Sequence, residues 1–213
     1  QRQMCIRDSI VKLLNDGRVD AAVDLANDYF DSLQSVTFVG ESSALMERYT
    51  ALNAVCAALT KAGEIDEAVA ACTRATEMLP SRWTALNNRG TALQALGRLV
   101  EAVASYDAAL ALRADYVAAL FNRATALGEL GRHAEVLASL ERALVIRPKD
   151  AELWNGRGVA LEALGRFEEA LASLDEALAL QPEYPEALNN RGNALHGLGR
   201  SEAALACYAQ ALA

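Results

Sequence analysis

The sequence predicts an all-α protein, a solenoid of antiparallel helix pairs. Three observations carry that prediction. A pattern of small residues, leucine and glycine returns at one constant interval, in blocks that begin at Tyr49, Trp83, Val117, Ala151 and Pro185. Alanine and leucine dominate the composition, with four prolines among 213 residues and few β-branched side chains after Glu101. The hexamer ALNNRG occurs at 85–90 and again, three blocks later, at 187–192. One short helix pair cannot bury its own apolar face, whereas stacked neighbours make a continuous core.

Five blocks align without a gap: 49–82, 83–116, 117–150, 151–184 and the shorter 185–213. Their eighth residue is small: Cys56, Gly90, Ala124, Gly158, Gly192. The eleventh is leucine (Leu59, Leu93, Leu127, Leu161, Leu195) and the fifteenth glycine (Gly63, Gly97, Gly131, Gly165, Gly199). The twentieth is Ala68, Ala102, Val136, Ala170 and Ala204, and the twenty-seventh is alanine at Ala75, Ala109, Ala143, Ala177 and Ala211. In the first half of a block, residues such as Trp154, Gly158 and Leu161 follow helical spacing. The glycine then sits just past the helix end, where a left-handed conformation costs it little. The second half resumes the helical period with Phe167, Ala170, Leu171, Leu174, Ala177 and Leu178. Proline closes the block at Pro80, Pro148 and Pro182, with Ala114 in its place in 83–116.

Residues 10–36 read as a sixth, degenerate copy, with Gly17 as turn glycine and Ala22, Ala26 and Tyr29 at packing positions. Residues 37–48 are an insertion that shifts the phase. They read as a short loop with an early helix start near Ser42, or as lengthening of the flanking helices. The segment QRQMCIRDS, residues 1–9, does not join the repeat. It resembles a translated sequencing adapter, with a polar helix start as the other reading, and is set aside. The last block stops short of a full period, which predicts a fragment of a longer protein.

The period and the residues Trp154, Gly158, Ala170, Ala177 and Pro182 resemble the tetratricopeptide repeat family. The 151–184 block departs from that family's pattern at Arg157, Leu161 and Leu174. The resemblance implies a right-handed superhelical solenoid in which the first helix of each repeat lines a concave groove, and that the groove binds protein or extended peptide.

Several functions have no material here. The net charge of −8 disfavours nucleic acid, which needs a basic patch. No apolar run is long enough to offer a membrane span. Lys61 is the one lysine in 49–116, too few for a clamp on a terminal carboxylate. There is no G-x-x-x-x-G-K-[ST] loop, and the two histidines, His133 and His196, lie in separate blocks. Cys5, Cys56, Cys72 and Cys207 form no CxxC pair, so they read as core thiols of a cytoplasmic protein. Glu168 and Glu169 read as solvent-facing charge at a helix start. No cofactor, metal or catalysis is expected.

Two arginine series recur. Arg98, Arg132, Arg166 and Arg200 follow the turn glycine and are expected in solvent. Arg89, Arg123 and Arg157 come with acids in the second half of the same block, at Asp107, Glu141 and Asp175. That suggests helix–helix ion pairs, while Arg191 would face Ala209. In 49–82 the matching positions, Val55 and Thr73, are both uncharged.

The asparagines differ. Of the ten fifth and sixth positions, seven hold asparagine: Asn53, Asn87, Asn88, Asn122, Asn155, Asn189 and Asn190. Asn193 adds an eighth carboxamide on the same helix as the last two. These lie past the first helical turn and so are not caps. Asparagine in a helix interior costs about half a kcal/mol against alanine, so propensity does not select it. Each carboxamide offers donors and an acceptor to the main chain of an extended peptide. The family resemblance points these side chains into the groove, like the asparagine ladder of O-linked N-acetylglucosamine transferases. The alternative is that the amides bond between repeats and stiffen the stack. The function expected is a non-catalytic protein- or peptide-binding scaffold. Two others stand beside it: the substrate-recruiting arm of a glycosyltransferase whose catalytic domain lies beyond residue 213, and end-to-end self-association.

Overall fold

The computed structural model describes residues 42–212 and, upstream, residues 8–10, 12–13, 16, 18, 21, 24–25 and 28. The chain divides into two compact units, Gln1–Ala114 and Asp115–Ala213.

In the first unit α1 (Ser42–Ala62) packs against α2 (Ile65–Met78), and α3 (Trp83–Ala95) meets both of them and pairs with α4 (Leu99–Leu112). In the second unit α5 (Val117–Glu129) pairs with α6 (His133–Ile146), and α7 (Ala151–Ala163) with α8 (Phe167–Leu180). There α6 also meets α7, while α9 (Pro185–Gly197) packs on α7 and α8 and pairs with α10 (Ser201–Ala211). All ordered structure among the described residues is helical. The fold is the expected all-α stack of helix pairs.

The five turn glycines end the first helix of each pair for one stereochemical reason. Gly63, Gly97, Gly131, Gly165 and Gly199 all have positive φ, between 72° and 89°. The amide of Gly131 donates to the carbonyl of Gly128 at 2.9 Å and that of Arg132 to Leu127 at 2.9 Å. The same two bonds recur at Gly97/Arg98 and Gly165/Arg166. This double closure satisfies carbonyls that the helix end leaves open. It also explains the leucine that precedes each glycine by one helical turn. Its carbonyl receives the longer bond and its side chain is buried: Leu59, Leu127 and Leu161 are each 0% exposed. Nothing lies within 4 Å of a Cβ built on Gly131, so a side chain there meets only backbone strain. Gly131→Ala is therefore expected to cost about 1–2 kcal/mol, read as a lowered denaturant midpoint with an unchanged helical signal.

Within each pair the eighth residue faces the twenty-fourth. A Cβ built on Gly90 would sit 2.5 Å from the ring of Tyr106, and one on Gly158 would sit 2.6 Å from Leu174 Cγ. Gly192 stands against Tyr208 in the same way. The first pair uses Cys56 and Cys72 at these two positions, with Cα atoms 5.2 Å apart, and they are joined as a disulfide. This corrects the expectation of free core thiols there. The separation of 16 in sequence sets two side chains face to face across the hairpin, within reach of an S–S bond. Cys207 is the free, buried cysteine among the described residues.

Upstream of α1, Ile10 is 1% exposed and joins the apolar cluster of Leu52, Val55, Leu59 and Ala75, with Leu13 and Leu25 packed against it. Gly17, Ala22, Ala26 and Tyr29, the residues that mark a sixth copy, lie outside the described residues, as do residues 1–7.

Candidate functional site

The carboxamides fall on the first helix of each pair: Asn53 on α1, Asn87 and Asn88 on α3, Asn122 on α5, Asn155 on α7, and Asn189, Asn190 and Asn193 on α9. Two of them bond across neighbouring pairs in each unit. Asn88 Nδ2 donates to Asn53 Oδ1 at 3.0 Å, and Asn190 Nδ2 donates to Asn155 Oδ1 at 2.9 Å. Both bonds join the fifth residue of one repeat to the sixth of the next. Tyr49 Oη and Thr84 Oγ1 are 2.7 Å apart with the same spacing, so two polar contacts register α1 against α3. Such a bond takes one N–H of the donor amide and one lone pair of the acceptor. A carbonyl on Asn88 and Asn190, and an NH2 on Asn53 and Asn155, stay outside it.

The others are placed less uniformly. Asn87 is 6% exposed and belongs to the interior, whereas Asn189 is exposed. Asn122 is half-buried, and Asn193 Oδ1 accepts from Tyr208 Oη at 2.9 Å. Tyr184 hydrogen-bonds Asn155, and burial holds its phenol above the usual range, with Glu152 and Glu186 adding to the shift. It is thus a neutral phenol at neutral pH.

Two of the seventh-position arginines, Arg157 and Arg191, do bridge helices, but not to the residues expected. Arg157 Nη2 is 3.1 Å from Glu141, and Arg191 Nε is 2.7 Å from Asp175, each acid lying in the preceding repeat. Arg191 therefore faces Asp175 and not Ala209. Asp175 follows Leu174 and is turned about 100° round α8 from it, away from its own first helix and toward the next. The arginine's other end reaches within its own pair. Arg123 Nη1 donates to Ser139 Oγ at 2.7 Å and Arg157 Nη1 to Ser173 Oγ at 2.6 Å, while Arg191 Nη1 lies 3.0 Å from Cys207 Sγ. Ser139 and Ser173 donate in turn to the carbonyls of Glu135 and Glu169, at 2.9 and 3.0 Å. The recurrence of serine two positions before the acid is the sequence signal for this arrangement. It is a weak one, because serine alone predicts little.

In the first unit the acid is missing. Thr73 holds the place before Arg89 that Glu141 holds before Arg157 and Asp175 before Arg191, and Arg89 Nε is buried without a partner. Thr73→Glu should supply the missing carboxylate and raise the stability of the first unit by about 1 kcal/mol, measured by denaturant unfolding. An unchanged midpoint would show that Arg89 does not use that position.

Of the arginines after the turn glycine, all four are exposed, and Arg98, Arg132 and Arg166 are ion-paired. Arg98 grips Glu101 at 2.7 and 2.6 Å, and Arg166 grips Glu169 at 2.7 and 2.7 Å. These bonds raise the arginine pKa values and lower those of the glutamates, with no consequence near neutral pH. Such exposed pairs contribute little to stability.

Among the described residues no group of three or more His, Cys, Asp or Glu side chains is placed to hold a metal ion. No described helix is long and apolar enough to cross a membrane.

Stacked helix pairs with a glycine turn and a fixed period define a helical-repeat protein of the solenoid class. The chain carries tetratricopeptide repeats: profiles of that repeat match residues 57–117 and 163–199. A profile of the bacterial transcriptional activator domain matches residues 107–180. No curated protein matches the chain in sequence. Among solved structures, MamA 41-end from Desulfovibrio magneticus RS-1 superposes with a TM-score of 0.73 at 19% identity, covering 78% of this chain and 93% of that one. A second MamA crystal structure gives 0.68 at 19% identity over 72% and 90%. YrrB, described as a TPR protein with an unusual peptide-binding site, gives 0.67 at 23% identity over 76% and 84%. At these identities the likeness is one of fold.

Proposed function

We propose that the chain is a non-catalytic binding scaffold that holds the main chain of an extended peptide on its carboxamides. The observation that carries this reading is the pair of inter-repeat bonds, Asn88 to Asn53 and Asn190 to Asn155. Each fixes two amides on the face of adjoining first helices; outside the bond the Asn53–Asn88 pair keeps a carbonyl acceptor and an NH2 donor, and Asn190 keeps its carbonyl, while Asn155 also bonds Tyr184. A peptide main chain needs that complement and no particular side chain. Fixing the amides in advance lowers the entropy lost on binding. The peptide-binding site named for YrrB gives the same fold a precedent.

A random peptide library displayed on phage, panned against the full chain, supplies the ligands for the test. The double variants Asn53→Ala/Asn88→Ala and Asn155→Ala/Asn190→Ala are then titrated with the selected peptides. Loss of two to three hydrogen bonds should weaken binding about tenfold or more, with melting unchanged or raised because alanine favours helix. If the amides only stiffen the stack, the variants melt earlier and bind as tightly as before, and the reading fails.

A further inference from the structure

The ladder is interrupted at two positions in the second unit, and the interruptions meet. Phe121 takes the fifth place of its repeat, and Gly156 takes the sixth place of the next one. Both line a cavity of about 340 Å³ together with Gly128, His133, Leu140 and Val159.

Three absences make this space. In 83–116 the buried Tyr106 fills the gap between the helices, and its hydroxyl donates to Gln94 at 3.0 Å. In 117–150 the corresponding residues are Leu140 and Gly128, so both the ring and the amide are gone. Gly156 removes the third group, an asparagine at the sixth place in 83–116, 117–150 and 185–213. Nothing lies within 4 Å of a Cβ built on Gly128, while one on Gly156 would meet Leu140 Cδ1 at 3.3 Å, so Leu140 forms the wall behind it. Val159 stays 40% exposed at the rim. The hydroxyl of Thr125, which also lines the space, is already bonded to the carbonyl of Phe121 at 3.1 Å. The walls are thus almost wholly apolar. The bonded amides of Asn155 and Asn190 occupy the same helix as Gly156 and the one packed against it.

We infer that this cavity is a specificity pocket, which takes one large apolar side chain from an extended peptide of net positive charge. This rests on the proposed function, since the carboxamides would hold the main chain that delivers the side chain. The volume suits a leucine or phenylalanine side chain, and its burial corresponds to a preference of about tenfold or more over alanine. Charge complementarity selects the rest of the peptide. The protein carries a net charge of −8. Glu152 and Glu162 lie on the helix that supplies Gly156 and Val159, whose arginine, Arg157, is already held by Glu141. Cationic neighbours around the apolar residue would therefore be drawn in, with an affinity that falls as salt rises.

Two variants close the pocket without touching the ladder bonds. Gly128→Gln restores the residue type of Gln94 in open space and replaces a helical glycine with a better helix former, so the protein should fold at least as well. Gly156→Asn closes it from the other helix, with a small shift of Leu140. The first measurement uses N-acetyl amides of glycine, leucine and phenylalanine, followed by NMR of the full chain. The leucine and phenylalanine amides should shift the backbone signals of Gly128 and Gly156 and the glycine amide should not, and Gly128→Gln should abolish the response. The second uses the phage library. Peptides selected by the natural chain should share one large apolar residue flanked by lysine or arginine. Those selected by Gly128→Gln or Gly156→Asn should lose it while staying sensitive to Asn155→Ala/Asn190→Ala. Peptides without a shared apolar residue, or amides whose shifts ignore the side chain and the variants, overturn the pocket and leave the ladder standing. Amides that fill the pocket beside peptides indifferent to the asparagines overturn the ladder instead.

Discussion

Reduction of the Cys56–Cys72 disulfide should weaken the α1–α2 hairpin by about 3 kcal/mol, the value that loop-closure entropy assigns to a loop of about fifteen residues. Both cysteines are 0% exposed, so the bond lies in the packed seam between the helices. The other repeats fill this place with matched volumes, Gly90 with Tyr106 and Gly158 with Leu174. Two thiols fill it less well, so the link and the packing both suffer on reduction. Hydrogen exchange resolves the effect by segment. With reductant, protected amides of α1 and α2 should exchange about a hundredfold faster, and those of α7 to α10 should be unchanged. Cys207→Ser serves as a control, because Ser139 and Ser173 accept the arginine at the equivalent position. Transplanting the pair from 117–150, as Cys56→Ala/Cys72→Leu, should give a hairpin indifferent to reductant. Exchange in α1 and α2 that ignores reductant in the natural chain would refute the structural role of the bond.

The elements of this fold are legible in the sequence because single residues report them. A glycine with φ of 73°, such as Gly165, has few substitutes, and the leucine one turn earlier supplies the carbonyl that closes the turn. Partners across helices are less legible. The offset that pairs Arg191 with Ala209 overshoots by two positions: the arginine reaches Cys207 in its own repeat and Asp175 in the one before. The reason is angular: adjacent residues on a helix differ by about 100°, so Leu174 faces its own hairpin while Asp175 faces the next repeat. The asparagines are visible as a pattern, yet the pairing of Asn53 with Asn88 depends on how far one repeat is offset from the next, which sequence does not state. Asn87 sits beside Asn88 in the same pattern and is instead buried. The pocket is the hardest to see. It consists of residues that are smaller than their counterparts, and Gly128 and Gly156 break no rule where they stand.

Gly90→Ala should destabilise the first unit by about 2 kcal/mol, against the sign that helix propensity alone gives. Gly90 lies inside α3, where alanine would gain about 1 kcal/mol in an exposed helix. Here the new Cβ would stand 2.5 Å from Tyr106 Cε1, closer than two non-bonded carbons can sit. The ring cannot swing aside, because Tyr106 is 0% exposed and its hydroxyl is bonded to Gln94 at 3.0 Å. Either the ring leaves its rotamer or α3 and α4 move apart, and both disturb the buried neighbours. The partner substitution decides between this account and a general intolerance of the site. Tyr106→Leu alone leaves a cavity and removes the hydroxyl that donates to Gln94, and should cost about 2 kcal/mol or more. The double variant Gly90→Ala/Tyr106→Leu recreates the pairing of Ala124 with Leu140 that the protein already uses in α5 and α6. It should therefore be more stable than the sum of the two losses by about 2 kcal/mol, a coupling that a double-mutant cycle measures directly. Additive losses would mean that these residues do not share one packing site, and that the small eighth residue is there for another reason.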